Sequence, residues 1–386
     1  MEQRSLAVVH YHEIALKGKN RAFFEKALVF NLRAALGADA AVSRIGGRIL
    51  VQYGMAEEEA REKLKKIFGV KYFAFAKESA AEMDAIKKTS LGILDKPYPS
   101  DFRIEASRAD KNYPFTSDDL MREVGAYVKE KTGMAVRLKH PAVTVFIEVA
   151  EKKAFIYSEK IPGAGGLPVG VAGKVVVLMS SGFDSPVAAL RMMRRGCDPV
   201  LVHFHSYPYT ARDSMENVEK LATVISHYSP RPIKLYLVSF LGVQERIVKS
   251  APAALLTIMY RRWMLKIAEE VARRESALAL VTGDAVSQVA SQTLENILTV
   301  SEAATLPILR PLAGFDKEEI IAEAARYGTY GISSLPYGDC CSLFTAGSPA
   351  TRSRLTDVKK VEGLIGEELA ALAEKALISA EIKYIL

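Results

Sequence analysis

LMSSGFDSPVA, from Leu178 to Ala188, is the stretch that decides the fold of this chain. The apolar run KVVVLM (174–179) gives way to small and acidic residues and then to Pro186. That order spells a strand, a tight turn and a helix start, with Ser185 suited to cap the helix and Pro186 to its first position. Backbone N–H groups at such a start cradle an anion, and the hydroxyls of Ser180, Ser181 and Ser185 add donors around Gly182. No lysine follows a glycine, so the turn is not a Walker-type loop. Asp184 stands there instead, an acid suited to hold Mg2+ on a released pyrophosphate.

Downstream the same pattern recurs. PVLVHFH, IKLYLVS and ALALVTG are short apolar runs rich in Val, Ile and Leu, separated by helical segments, which predicts buried parallel strands in a doubly wound sheet. Ligands of such sheets bind at the carboxyl ends of the strands. Upstream, four glycines and two prolines within residues 161–170 (IPGAGGLPVG) interrupt the periodicity and mark the main boundary. Before it, LAVVHYHEIALKG leads as a strand into a helix over NRAFFEKALVFNLRAAL, followed by the strand GRILVQY and the helix EEEAREKLKKIF. A second α+β unit follows, with DFRIEASRAD and VTVFIEVAEKKAFIYSEKI as strands around a helix that Thr116 or Ser117 can cap.

With 386 residues, 49% hydrophobic and 25% charged, the chain is long enough for two or three cores and has an ordinary globular composition. No apolar run approaches the roughly 18 residues of a membrane helix, and the start lacks a secretory signal, so a cytoplasmic location is expected. The three cysteines, Cys197 and the adjacent Cys340 and Cys341, cannot form a disulfide scaffold. Charge is uneven: residues 1–160 hold 28 Lys and Arg against 22 Asp and Glu, whereas 161–386 hold 24 against 23. A basic first part beside a nearly neutral second part suggests a polyanion-binding module attached to a catalytic one; solvated helix faces are the plainer alternative.

SSGFDS resembles the SGGxDS signature of the PP-loop ATP pyrophosphatases, with Ser181 in place of a glycine. If that position needs a positive φ, serine would be strained there. YHEIALKGKNRAFFEKAL, FRIEASRADKNYPFTS, GAGGLPVG, HFHSYPYT, MYRRWMLKIAEEVA, TGDAVSQVASQTLENI, RPLAGFDKEEII and YGDCCSLF then follow in the order found in the tRNA 4-thiouridine synthetase family, a sulfurtransferase family also linked to thiamine biosynthesis. The resemblance covers practically the whole chain. It implies an N-terminal ferredoxin-like domain (1–58), a THUMP RNA-binding domain (59–163) and an α/β PP-loop domain (164–386). It also implies the reaction, in which ATP adenylates O4 of uridine 8 in tRNA and a persulfide sulfur from a cysteine desulfurase replaces the activated oxygen. ATP and Mg2+ are the implied cofactors, and a homodimer the implied assembly. About forty residues follow DCCSLF, too few for the rhodanese domain of some members, so a role in thiazole formation is not expected.

Residue by residue, Leu178, Met179, His203, Phe204, Arg261, Gly283 and Gln292 match the family's nucleotide contacts, alongside the loop residues Ser180, Ser181, Gly182, Asp184 and Ser185. Apolar strand ends are otherwise core, Arg261 could be an exposed helix charge, and His-x-His could be half of a metal site. Lys317 resembles a lysine near the phosphates, although Asp316 and Lys317 also read as a helix start. Cys341 matches the sulfur-carrying cysteine, with Cys340 beside it to resolve the product or simply pack. For RNA the candidates are Lys17, Lys19, Arg21, Arg103, Arg108, Lys111 and Asn112, expected to touch phosphates and 2′-OH groups more than bases. Tyr113 and Phe115 could stack on bases or pack in their loop. Two other functions stay open: a PP-loop synthetase that transfers nitrogen, and a non-catalytic tRNA-binding protein with a degenerate loop.

Overall fold

The computed structural model describes residues 4–209, 212–335, 343–344 and 349–386. It divides into two compact units, Met1–Pro168 and Val169–Leu386.

The first unit carries two sheets among its described residues. Its elements run β1 (Ser5–His10), α1 (Arg21–Leu36), β2 (Ala41–Ile45), β3 (Arg48–Tyr53), α2 (Glu57–Lys65), β4 (Tyr72–Phe75), β5 (Lys77–Ala80), α3 (Met83–Gly92), β6 (Asp101–Arg108), α4 (Ser117–Thr132), β7 (Ala135–Val136), β8 (Val143–Ala150), β9 (Lys153–Tyr157) and β10 (Ile161–Pro162). One sheet has the order β10-β4-β1-β3-β2 and the other β5-β9-β8-β6-β7. Hydrogen bonding of β4 to β1, with Val9 opposite Phe73, carries the first sheet well past residue 58. Thr116 is the cap of α4: it accepts from Asp119 N–H while the Asp119 carboxylate reaches back to Thr116 N–H, and Gly133 ends the helix in the left-handed region. Leu120, Val124 and Val128 of that helix bury against Phe102, Ile104, Val145 and Ile147. Tyr113 and Phe115 pack at the edge of this core, edge to face, and Tyr113 donates to Ala81 O at 2.7 Å.

A buried acid sits within this unit. Glu148 of β8 is 5% exposed and pairs with His10 Nε2 at 3.0 Å and with the Arg48 guanidinium, while the Tyr157 hydroxyl donates to it. Burial alone would raise its pKa, but His10 and Arg48 outweigh that and hold the carboxyl below its usual range.

The second unit runs β11 (Lys174–Met179), α5 (Asp184–Arg194), β12 (Asp198–His205), α6 (Asp213–Ser226), β13 (Ile233–Ser239), α7 (Leu241–Val248), α8 (Leu256–Glu275), β14 (Ala279–Val281), α9 (Leu294–Ser301), β15 (Ile308–Leu309), α10 (Lys317–Tyr327), α11 (Tyr330–Ser333), α12 (Leu355–Ile378) and β16 (Glu381–Ile385). Its sheet has the order β15-β14-β11-β12-β13-β16, all parallel except β16. Val176, Val200, Val202 and Val238 turn to α7, α8 and α12. Val175, Val177 and Leu201, their alternates, are also buried, so both faces are covered as a doubly wound sheet requires. Strand order reverses between β11 and β14, and the two loops leaving their carboxyl ends therefore diverge around a crevice. The antiparallel edge strand β16 was not expected; its alternation of exposed Ile382 and Tyr384 with short length gives a weak strand signal.

Because Glu148 titrates lower when folded, its contribution is complete above the ordinary carboxylate pKa and is lost as pH falls through the depressed one. Glu148→Gln should cost about 3 kcal/mol at neutral pH, since it leaves the mostly buried Arg48 guanidinium without its counter-charge. Urea melts of wild type and variant should begin to converge as pH falls below the ordinary carboxylate value of about 4; a gap that stays constant with pH contradicts this account.

Candidate functional site

At the crevice, the loop Ser180–Phe183 joins β11 to α5. Ser185 does not cap the helix: the helix begins at Asp184, and Ser185 lies in its first turn. Its Oγ instead accepts from Ser180 N–H at 2.8 Å and lies 3.1 Å from Ser180 Oγ, which closes the loop on itself. Pro186 is correspondingly the third helical residue and not the first. Neither Ser181 nor Gly182 has a positive φ, so the serine in the signature causes no backbone strain. Ser181 is 1% exposed, and its hydroxyl has no partner among the described residues.

Gly283, at the end of β14, packs against this loop from the neighbouring strand. A Cβ there would stand 2.8 Å from both Asp184 C and Ser185 N, closer than any side chain tolerates. The glycine therefore serves a backbone-to-backbone approach within the protein.

Between these loops lies a cavity of about 260 Å³. Ten of the expected nucleotide contacts line it: Leu178, Met179, Ser180, Asp184, Ser185, His203, Phe204, Arg261, Gly283 and Gln292. Ser181 and Gly182 are in the loop but not in the cavity wall. His203 engages both ring nitrogens, Nδ1 with Met179 O at 3.0 Å and Nε2 with Ser214 Oγ at 3.3 Å, so its ring is fixed as part of the wall. Arg261 is not an exposed charge; one end of its guanidinium donates to Ser291 O and Oγ at 3.1 and 3.0 Å, and the other pairs with Asp284.

Lys317 is the first residue of α10, whose start is fixed by reciprocal bonds between Asp316 and Glu319. From there Nζ reaches Asp184 Oδ1 at 2.7 Å, while Gln288 Nε2 donates to Oδ2 at 3.3 Å. Asp184 and Lys317, 133 positions apart in sequence, are thus brought together.

Thr282, Asp284, Ser291 and Arg310 are polar lining residues that sequence reasoning missed. Asp284 is 5% exposed and accepts from Thr282 Oγ1 at 2.9 Å and from Arg310 Nε at 3.2 Å, besides its pair with Arg261. Burial pushes its pKa up, yet Arg261, Thr282 and Arg310 together hold it below the usual carboxylate value. An acid directly after the strand-ending glycine in VTGD was the one signal available. Arg310 opens the motif RPLAGFDKEEII but nothing in that motif assigns it to the cavity; the parallel pairing of β15 with β14 brings it there.

Cys340 and Cys341 lie outside the described residues. Of the expected RNA contacts, Lys17 sits over the Phe24 ring and Arg21 bonds Glu25 at 2.8 Å and the Tyr11 hydroxyl at 2.6 Å. Arg103 bonds Glu105, and Arg108 bonds the Lys111 and Tyr113 carbonyls. Lys19, Lys111 and Asn112 are exposed. The seven fall on two separate segments, residues 17–21 before and at the start of α1, and β6 with the loop that follows it.

Three family descriptions match the chain in succession: the ThiI ferredoxin-like domain over residues 6–74, the THUMP domain over 80–159, and Thiamine biosynthesis protein (ThiI) over 170–366. A probable tRNA sulfurtransferase of Thermus thermophilus is 46% identical over 374 residues, which span 96% of this chain and 92% of the relative. One from Caldanaerobacter subterraneus is 42% identical over 93% of this chain and 95% of its own length. Among solved structures, a 4-thiouridine synthetase–RNA complex with bound ATP superposes with a TM-score of 0.91 at 36% identity, covering all of both chains. With matches of this identity and extent, and with the SSGFDS loop, Asp184 and Lys317 assembled in one place, the chain belongs to the ThiI family.

Proposed function

We propose that this chain is a tRNA sulfurtransferase that converts uridine 8 of tRNA to 4-thiouridine, with ATP bound in the cavity between β11 and β14. The observation that carries the reading is the closed SSGFDS loop at a strand-order reversal, with its acid and a lysine in contact at the cavity edge. Uridine O4 attacks the α-phosphorus; the bond to the β-phosphate breaks and pyrophosphate leaves with its electron pair. Lys317 is a compact cation placed to stabilise charge developing on the phosphates.

Asp184 fits an Mg2+ role, because that ion takes one or two carboxylates together with phosphate oxygens. It is a single, partly exposed carboxylate at a helix start, with Lys317 and Gln288 as its present partners. Bound there, the ion would neutralise the leaving pyrophosphate.

In the second half-reaction a persulfide on Cys341, charged by a cysteine desulfurase, adds its terminal sulfur to C4, and AMP leaves with the C4–O4 electron pair. A second thiol then attacks the inner sulfur, breaking the S–S bond; its two electrons stay on the uridine sulfur and a protein disulfide forms. Cys340 is the nearest thiol in sequence. The basic first unit binds the RNA, and we place the enzyme in the cytoplasm as a homodimer. A nitrogen-transferring synthetase leaves the THUMP match unexplained, and a degenerate RNA-binding protein leaves the unstrained loop and the Asp184–Lys317 contact unexplained.

Asp184→Ala should slow tRNA-dependent pyrophosphate release about a hundredfold or more and leave tRNA affinity almost unchanged; adenylation at the wild-type rate would rule out the assignment. Residues 1–168 alone should bind tRNA with a steep loss of affinity as salt rises, and salt-insensitive binding would argue against phosphate contacts. Cys341→Ser should abolish 4-thiouridine yet leave adenylated tRNA forming. Normal thiolation by both the Cys341→Ser and Cys340→Ser variants would sink the covalent sulfur relay.

A further inference from the structure

Asp284 gathers two guanidiniums on one buried carboxylate. Arg261 and Arg310 both pair with it, at the wall of the cavity, and neither arginine is more than 17% exposed. One negative charge against two positive ones leaves an excess of a single positive charge in a place where water screens poorly. Taking a guanidinium from water costs several kcal/mol unless its charge and its donors are met. Here the protein meets them only in part.

The two arginines differ in what remains. Arg261 has protein partners on both terminal nitrogens, namely Ser291 on Nη1 and Asp284 on Nη2. Arg310 gives Nε to Asp284 at 3.2 Å and Nη2 to Ser301 Oγ at 2.7 Å, so two edges of its plane are fixed. Nη1 is left with no bond to the protein among the described residues, on a side chain that lines the cavity. Asp284 directly follows Gly283, whose Cα is packed on the Asp184–Ser185 backbone at the start of α5. The excess cation therefore adjoins the loop whose N–H groups favour anions.

We propose that Arg310 is a phosphate-binding residue of this nucleotide site, and that Asp284 is a positioning residue that holds both guanidiniums toward the bound anion. The assignment rests on the ATP reading given above and extends it to two residues. A rival role is purely structural: Asp284 and Arg310 would only tie the segment after β15 to the loop after β14.

A nucleotide titration of the full chain without tRNA separates these roles, using α,β-methylene-ATP with Mg2+ as the charged probe and adenosine as the uncharged one. Arg310→Ala should weaken the ATP analogue roughly tenfold to a hundredfold, the worth of a charge-assisted hydrogen bond, and keep adenosine within about twofold. Arg310→Lys should recover part of the loss, as a point cation replaces one prong of the fork. Asp284→Asn should weaken the analogue while sparing adenosine; if that variant fails to fold, the Arg310 variants still decide the matter. Equal analogue binding by Arg310→Ala and wild type overturns the phosphate role alone, and a matching loss of adenosine binding overturns it in favour of the structural tie. Failure of the wild type to bind the analogue overturns both the proposal and the ATP reading beneath it.

Discussion

A missing side chain at position 283 is the constraint on which the catalytic half depends. In a parallel sheet, neighbouring strands lie about 4.8 Å apart, so loops leaving β11 and β14 on the same edge must pass at backbone distance. The space between Gly283 and the Asp184–Ser185 backbone admits no Cβ. Because the gap is closed, the start of α5 is fixed relative to Thr282 and Asp284, and groups from two strands that are distant in sequence face one cavity. Ser185, reaching back to Ser180, fixes the same loop from its other end. The loop is thereby held from both sides, which is what a preformed anion cradle requires.

Two carboxylates follow these glycine and serine contacts, and their surroundings divide their labour. Asp284 is buried, shared by two arginines and held ionised; moving it would strand both cations, so it is a fixed part of the frame. Asp184 is partly exposed and its partners are the ends of Lys317 and Gln288, side chains that can change partner at small cost when phosphates arrive. Burial thus separates a fixed acid that shapes the cavity from an accessible one at its edge. The two positions are not interchangeable: a mobile Asp284 would release the arginines, and a buried Asp184 would be closed to solvent.

Much of this was legible in the sequence, for reasons that are physical. KVVVLM, PVLVHFH and IKLYLVS are buried on both faces, and such strands read as unbroken apolar runs. The capping pattern at Thr116 and Ser117 announced α4, and the cap is Thr116. Ser185 misled because the same residue type caps helices and closes loops, and only the helix starting two residues earlier than expected decides between them. The Glu148 cluster and the Asp284–Arg310 pair were illegible, since the first joins residues a hundred or more positions apart on two different sheets and the second joins residues brought together by the pairing of β14 with β15. β16 was missed for a different reason: an edge strand lacks the apolar continuity that revealed the others.

The two units also differ in how their charge is spent, and this separates affinity from chemistry. In the first unit the basic candidates are at the surface or lightly paired, where attraction to a polyanion is long-ranged, adds up over many contacts and is screened by salt. In the second, little-exposed cations are committed to particular acids: Arg261 and Arg310 share Asp284, and Arg262 pairs with Glu302 and Glu362. Pairs of that kind are little screened and hold geometry more than they add attraction. A polyanionic substrate can therefore be gathered by a surface that tolerates many sequences, while an anion entering the cavity would meet a small number of cations already set in place. The near neutrality of residues 161–386 accords with this arrangement, in which cations are set against acids even where, as at Asp284, two of them share one.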